Sequence, residues 1–226
     1  MTTLLDMLTS GVHDAKNQLF VAESLIVQAE AEHGVSLAEA RYAIELAAAR
    51  LARVLTAYRM QRQVGGLAIE MVALEELVAE AGVINAAHCR HLGLALEQAS
   101  EPGLWWALDR EMVLDALSNA IQNAARFACR CVRISAARDA GMLSIKVEDD
   151  GPGFADTPVF VPCPADDATD APINDLALPQ GGIGLFVARE LARLHVRDDA
   201  QGQLRGELRL YNGGAFGGAV FELRLP

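Results

Sequence analysis

A histidine, an acid and an amide lie close together near the start of the chain, in the stretch "VHDAKNQLF". His13 and Asn17 are four residues apart, so a helix would place them on one face, and Asp14 follows the histidine directly. A neutral imidazole is a nucleophile, and an adjacent carboxylate can orient the ring or accept its proton. These residue types permit nucleophilic chemistry at His13, but the stretch by itself favours the ordinary alternative, a solvated histidine on a helix surface.

Three later stretches carry polar groups whose spacing suits a phosphate ligand. Asn119 and Asn123 would project from one side of a helix, and amide oxygens are ligands that Mg²⁺ accepts. The stretch "EDDGPGF" places carboxylates at a strand end before a Gly-x-Gly, which lets a flat ring approach the backbone. The stretch "QGGIGLFVAREL" runs from glycines into a helix and could cradle phosphate. Taken singly, they are more typical of a helix surface, a hairpin turn and a loop.

A long helical hairpin must position the histidine. Apolar residues recur with gaps of three and four from Leu5 to Ala29, which predicts one long helix with a heptad seam. Gly34 would end this helix, and Ser36 with Glu39 forms a capping box that would start a second one. We therefore expect an antiparallel helical hairpin over residues 1–63, which pairs with a second copy as a four-helix bundle in a homodimer.

A second domain is expected over residues 67–226, after the Gly65-Gly66 break. Its pattern begins with a short strand that leads into a helix and continues with a strong helix, a hairpin, another helix and a second hairpin. The strong helix is predicted at residues 109–128, the first hairpin at 131–138 and 142–150, the next helix at 183–195 and the second hairpin at 206–212 and 219–226. The fold class is therefore α+β, with the helical hairpin followed by an α/β sandwich that has helices on one face.

Composition narrows the function classes. The chain has 226 residues, of which 52% are hydrophobic, and a formal net charge of −11, which disfavours nucleic acid as a partner. No apolar run is long enough for a membrane span, and the start lacks the features of a signal peptide, so we expect a cytoplasmic protein. Because few residues precede His13, we expect an upstream sensor or input protein to supply the signal.

In their order and spacing, these stretches resemble the transmitter core of bacterial two-component sensor histidine kinases. "HDAKN" resembles the phosphoacceptor box, "NAIQNAARF" the N box, "DDGPG" and "GGIGL" the two glycine boxes, and "GGAVFELRLP" the closing strand. The nucleotide domain resembles the ATPase superfamily that includes gyrase, Hsp90 and MutL. The resemblance spans nearly the whole chain.

The resemblance implies a histidine protein kinase that uses ATP and Mg²⁺. His13 would take the γ-phosphoryl group and Asp14 would be the general base. Asn17 would position water for dephosphorylating a partner, so the protein would also be a phosphatase. The phosphoryl group would pass to the receiver domain of a response regulator.

The resemblance also assigns the nucleotide pocket. Asn123, with Asn119 nearby, would bind Mg²⁺, and Asp149 would accept a hydrogen bond from the adenine amine. Arg126 would lie near phosphate and Phe127 against the nucleotide. The glycine boxes would shape the pocket with Gly151, Gly153, Gly182, Gly184 and Leu185.

One segment departs from the family pattern. Residues 155–181, where the lid over the nucleotide would lie, contain five aspartates and no lysine or arginine. Such a lid is unfavourable over a triphosphate unless it stays open or Mg²⁺ compensates. The main alternative is therefore a histidine phosphotransferase of a phosphorelay that does not use ATP efficiently. A nucleotide-dependent scaffold without chemistry and a serine kinase of the anti-sigma type are further alternatives.

Overall fold

The structure is a computed structural model, and it divides the chain into two compact units. It describes residues 4–35, 37, 40, 43–44, 47–48, 51, 54, 56, 66–154, 182–199 and 202–226. The first unit spans Met1–Gly65 and the second spans Gly66–Pro226. Among the described residues, no helix has both the length and the apolar character that crossing a membrane requires.

The first unit contains one long helix, α1 (Leu4–His33). It ends at Gly34, whose φ of +63° is the left-handed conformation that commonly terminates a helix, and whose N–H donates to the carbonyl of Glu30 at 3.0 Å. The Glu30 carboxylate accepts from the N–H of Leu37 at 2.6 Å. The residues described between 40 and 56 are helical. The first helix is thus confirmed, whereas the capping box at Ser36 and Glu39 lies outside the described residues and the antiparallel pairing stays a prediction.

The second unit is built from three helices and nine strands in the part of the chain that the structure describes. The central sheet has the strand order β2-β4-β5-β9-β8, in which β2 is parallel to β4 and the other neighbours are antiparallel. Two small antiparallel pairs, β1-β3 and β6-β7, accompany it. The elements are β1 (Ile69–Ala73), α2 (Leu74–His91), β2 (Ala95–Ser100), β3 (Trp105–Asp109), α3 (Arg110–Ala125), β4 (Cys131–Asp139), β5 (Met142–Asp149), α4 (Gly182–Leu194), β6 (Val196–Asp199), β7 (Gly202–Arg205), β8 (Glu207–Asn212) and β9 (Ala219–Leu225).

The core lies between the central sheet and the three helices. Successive residues of a strand face opposite sides, so alternate residues of β4, β5 and β9 form one continuous apolar face. Its fully buried members are Val132, Ile134, Leu143, Ile145, Leu223 and Leu225. α2 packs on β2 and β4, α3 on β4 and β5, and α4 on β8 and β9. The expected mixed α/β layer is confirmed for this unit.

Four strands were not expected from the sequence. β2 and β3 lie between α2 and α3, and β6 and β7 form a hairpin in the stretch "HVRDDAQGQLRGE". β2 is polar and mostly exposed, so it lacks the alternation that marks a half-buried strand. It pairs in parallel with β4, and this is the one parallel pair in the central sheet that the structure describes.

A buried histidine joins the start of α3 to the end of α4. Asp109 caps α3, because its Oδ1 accepts from the N–H of Met112 at 3.1 Å, and its Oδ2 accepts from Ala68 at 2.8 Å. The N–H of Asp109 donates to Nε2 of His195 at 3.1 Å, and Nδ1 of His195 lies 2.8 Å from the carbonyl of Leu191. His195 is therefore held as a neutral ring that donates from Nδ1 and accepts at Nε2.

Candidate functional site

The candidate site is centred on Asp149, the last residue of β5. Leu143, Ile145 and Val147 face the helices, and the two-residue period of the strand places Asp149 on that same face, where it is 3% exposed. Its Oδ1 accepts from the N–H groups of Gly151 at 2.8 Å and Ala219 at 3.2 Å. Burial raises the pKa of Asp149, and these two backbone hydrogen bonds partly oppose that rise.

Asp150 has a different role from its neighbour. Its Oδ1 accepts from three successive backbone N–H groups, those of Cys129 at 2.8 Å, Arg130 at 2.9 Å and Cys131 at 3.1 Å. These bonds lower the pKa of Asp150, and the bond from Arg130 has the largest effect. Asp150 therefore ties the turn after α3 to the end of β5 and stays ionised.

Two glycines leave no room for a side chain beside Asp149. A Cβ placed on Gly151 would overlap the carbonyl oxygen of Phe127 and lie 3.0 Å from Oδ1 of Asp149. A Cβ placed on Gly218 would lie 2.6 Å from the same Oδ1 and 2.8 Å from the N–H nitrogen of Gly151. Real Cβ atoms do not approach so closely, so glycine is required at both positions for the backbone to surround the carboxylate.

An asparagine holds the segment that leaves the first glycine box. The side-chain amide of Asn212 donates to the carbonyl of Phe154 at 2.8 Å, and its oxygen accepts from the N–H of Phe154 at 2.7 Å. Gly153, with a φ of +78°, has the left-handed conformation that glycine adopts at low cost, and its α-carbon lies against the Asn212 amide. The end of β8 thus fixes the path of residues 151–154.

The N box meets the second glycine box in the interior. Asn119 on α3 is 6% exposed, and a Cβ placed on Gly184 would lie 2.5 Å from its Cγ and 2.6 Å from its Oδ1. The first turn of α4 therefore packs directly on the Asn119 amide. Gly182 and Gly184 are both in that first turn, and Leu185 beside them is half-buried.

The other predicted pocket residues lie at the carboxyl end of α3. Asn123 is half-buried, one turn after Asn119. Arg126 and Phe127 follow the helix and are exposed, and the Arg126 guanidinium lies 5.8 Å from the centre of the Phe127 ring. The carbonyl of Phe127 contacts Gly151, so this end of α3 adjoins the Asp149 site.

Two groups of predicted residues are not placed in the site. The backbone at His13, Asp14 and Asn17 is helical, within α1, but their side chains lie outside the described part of the structure. The acidic segment 155–181 also lies outside the described residues. The roles proposed for both groups remain predictions.

Three residues of the site were not found from the sequence. Asp150, Asn212 and Gly218 act through contacts with distant segments, at Cys129–Cys131, Phe154 and Asp149 respectively. The signals present were the second aspartate of the "DDGPG" stretch, an asparagine at a strand end and a glycine pair before the last strand. None of these signals indicates which distant residue the side chain or backbone contacts.

Comparison with known proteins gives the chain its family. Residues 108–226 match the family described as histidine kinase-, DNA gyrase B- and HSP90-like ATPase. The sensor protein kinase CarS of Pseudomonas aeruginosa is 31% identical over 141 residues, which are 60% of this chain and 30% of that protein. The chain thus spans less than a third of the length of this relative.

Solved structures share the fold. The histidine kinase AdeS of Acinetobacter baumannii matches with a TM-score of 0.58 and 18% identity, over 92% of this chain and 95% of that chain. Full-length ShkA, solved in complex with AMPPNP, matches with a TM-score of 0.61 and 18% identity, over 99% of this chain and 46% of that chain. The predicted resemblance to the transmitter core of two-component histidine kinases is confirmed by the family match and by these proteins together. The chain belongs to the histidine kinase-, DNA gyrase B- and HSP90-like ATPase family.

Proposed function

We propose that this protein is a histidine kinase that binds Mg-ATP at the Asp149 site, phosphorylates His13 and passes the phosphoryl group to a response-regulator receiver domain. The observation that carries the proposal is the buried carboxylate of Asp149, surrounded by glycine backbone at Gly151 and Gly218. The family match, and a solved neighbour that holds an ATP analogue, support ATP as the ligand.

Asp149 is suited to recognise an amine on a flat ring. Both backbone donors reach its Oδ1, and within the described residues Oδ2 accepts no hydrogen bond. A ring that enters beside Gly151 can donate from an exocyclic amine to Oδ2 without displacing either backbone bond. Since an unpaired buried carboxylate is costly, this bond would offset part of the cost that raises the pKa of Asp149.

The residues at the carboxyl end of α3 and in the first turn of α4 suit a triphosphate with its metal. Asn123 lies at the half-buried end of α3 and offers an amide oxygen for Mg²⁺, whereas Asn119 is packed on Gly184 and supports the first turn of α4. The N–H groups of that turn and the guanidinium group of the exposed Arg126 can donate hydrogen bonds to phosphate oxygens. When bound, Mg²⁺ neutralises phosphate charge, and Asn123 is the side chain that would hold it.

The proposed chemical step is an in-line phosphoryl transfer. An imidazole nitrogen of His13 attacks the γ-phosphorus, so a nitrogen–phosphorus bond forms while the bond to the β,γ-bridging oxygen breaks and ADP leaves. Asp14 takes the proton that the imidazole loses. The phosphoryl group then passes to a receiver aspartate, and Asn17 positions the water that later hydrolyses the receiver's acyl phosphate, which is the proposed phosphatase activity.

The test is incubation of the full chain with Mg²⁺ and γ-labelled ATP, with Asp149→Asn beside the wild type. Asp198→Asn is the matched control, because Asp198 is an exposed acid on β6 that hydrogen-bonds only to Gln203 among the described residues. We expect label on the wild type and on the control and none on Asp149→Asn.

Two other outcomes would contradict the proposal. Equal labelling of Asp149→Asn would show that the ATP does not bind at this site. An unlabelled wild type that still accepts a phosphoryl group from a phosphorylated receiver domain would instead assign the chain to a phosphorelay as a histidine phosphotransferase.

A further inference from the structure

The two-stranded sheet β1-β3 has one buried face and one exposed apolar face. Val72, Trp106 and Leu108 point inward and are at most 7% exposed. The pairs Met71–Ala107 and Ala73–Trp105 alternate with the inward pair Val72–Trp106, so Met71 and Trp105 lie on the outer face, as does Ile69 two residues before Met71. There Ile69 is 50% exposed, Met71 61% and Trp105 54%. Large apolar side chains that are contiguous on a strand pair and open to solvent are typical of an interaction surface.

This outer face forms one wall of a groove with a volume of about 310 Å³. Its lining includes Met71, Trp105, Trp106, Arg138, Gly141 and Arg197. The indole N–H of Trp106 donates to the carbonyl of Pro226 at 2.8 Å, which fixes the buried ring at the base of the groove. Tryptophan, methionine and arginine are the residue types enriched where proteins bind each other.

Two arginines line the groove. The Arg138 guanidinium lies 5.4 Å from the centre of the Trp106 ring, and Arg197 donates to the carbonyl of Gly141 at 3.2 Å. Arg138 and Arg197 are both exposed, and within the described part of the chain neither forms an ion pair. Among the nearby acids, Asp139 is paired with Arg224, Glu101 accepts from the backbone N–H of Arg138 at 2.9 Å, and Asp198 accepts from Gln203. The two guanidinium groups are therefore held in place and still available to a carboxylate.

We propose that this groove, which we call the Trp-Arg groove, binds a partner protein through a short acidic segment that carries a central aliphatic or aromatic residue. The central residue packs on Met71 and Trp105, and flanking carboxylates pair with Arg138 and Arg197. Nucleic acid and anionic membranes present charge over a wide area, which a chain of net charge −11 repels. A short acidic segment, by contrast, would place its few charges beside Arg138 and Arg197 and would avoid most of this repulsion.

The Trp-Arg groove lies at the opposite end of β5 from the nucleotide site. Gly141 and Arg138 belong to the turn side of the β4-β5 hairpin, and Asp149 ends β5 at the other side. At about 3.3 Å per residue, the length of β5 separates the two by roughly 23 Å. Both sites can therefore be filled together, and the groove does not depend on the proposed kinase activity.

The test uses the intrinsic fluorescence of the full chain, because its two tryptophans, Trp105 and Trp106, both line the groove. The probe is a synthetic dodecapeptide of aspartate and glutamate with a central Leu-Phe pair, which has no tryptophan of its own. We expect saturable binding with a blue shift of the emission and protection from acrylamide quenching. A peptide with lysines in place of the acids serves as the charge control and is not expected to bind.

Substitutions locate the site. Arg138→Glu and Arg197→Glu are each expected to weaken binding by about tenfold or more, since each replaces an attraction with a repulsion. Arg90→Glu, an equal charge change at an exposed position on α2, is expected to leave the affinity within about twofold. Saturating Mg-ATP should not alter the affinity for the peptide.

Several results would overturn the proposal. These are absence of binding by the wild type, equal affinity of the Arg138→Glu and Arg197→Glu variants, and displacement of the peptide by Mg-ATP. Shielding from acrylamide of Trp105, which is 54% exposed in the structure, would also overturn it if seen in the free protein. Concentration-dependent shielding would then assign the face to a second copy of the chain, and concentration-independent shielding would assign it to another part of the same chain.

Discussion

Asp149 and Asp150 are adjacent in sequence, yet their carboxylates accept hydrogen bonds from different parts of the chain. Asp150 accepts from three N–H groups of the Cys129–Cys131 turn, whereas Asp149 accepts from Gly151 and Ala219 and is buried. The pKa of Asp150 is lowered and that of Asp149 is raised. One aspartate therefore stabilises the fold, and the other is retained at a cost in stability, which is typical of a binding group.

Asp149→Asn should separate binding from stability. Because burial raises the pKa of Asp149 above its ordinary value of about 4, its contribution to stability is present below that pH and is lost as the pH rises through the raised pKa. At neutral pH the neutral asparagine should give an equal or higher melting temperature. It should also weaken ATP binding by at least about tenfold, because the amide replaces a charged acceptor. Thermal unfolding and nucleotide titration on the same sample check this, and a variant that melts lower yet still binds would contradict it.

Asp150→Asn should lower the stability of the protein, in contrast to Asp149→Asn. Hydrogen bonds to a charged acceptor are stronger than those to a neutral one, so its loss should lower the free energy of unfolding by about 1–3 kcal/mol. The lowered pKa means that the wild type loses this stability as the pH falls below about 4. Urea unfolding of both proteins at neutral and acidic pH measures the difference. The account requires the two curves to converge at acidic pH, and a constant gap would count against it.

Gly184→Ala should disturb the contact between α4 and Asn119. The added methyl group would overlap the Asn119 amide, so α4 must shift, at a cost of about 1–3 kcal/mol in stability. Gly66→Ala is the matched control, since nothing lies within 4 Å of a Cβ placed there. We expect a lower melting temperature and weaker Mg-ATP binding for Gly184→Ala alone. Equal behaviour of the two variants would mean that this close approach has no role.

His195 should make the stability of the protein depend on pH. Burial lowers its pKa below the ordinary value of about 6.5, so its contribution to stability is complete above that pH and is lost as the pH falls. The loss is at most about 1.4 kcal/mol per pH unit for one group. His195→Gln keeps a neutral polar side chain, so below pH 6.5 its unfolding free energy should fall less steeply than that of the wild type. His88, whose pKa is also lowered, is present in both proteins and cancels in the comparison.

The elements with a strong local pattern were predictable from the sequence. The alternation of Leu143, Ile145 and Val147 gave β5 with its inward face, and the apolar face of 109–128 predicted α3, which spans Arg110–Ala125. α4 was expected at 183–195 and spans Gly182–Leu194. Each depends on residues that are near one another in the chain.

The remainder depends on contacts between distant residues. β2 has little alternation of its own and becomes a strand because β4 pairs with it. Gly218 lies against Asp149 and Gly184 lies against Asn119, and each pair is far apart in the sequence, so no local pattern predicts these contacts. The resemblance to a family supplied the pocket residues, and the geometry added Asp150, Asn212 and Gly218.

The most direct test of the account is the location of the phosphoryl group. The full chain is incubated with Mg²⁺ and γ-labelled ATP, with His13→Gln and His33→Gln compared, because both histidines lie on α1. The account predicts an acid-labile, base-stable label on the wild type and on His33→Gln, mapped to the peptide that contains His13, and none on His13→Gln. An acid-stable label, or an equally labelled His13→Gln, would contradict it.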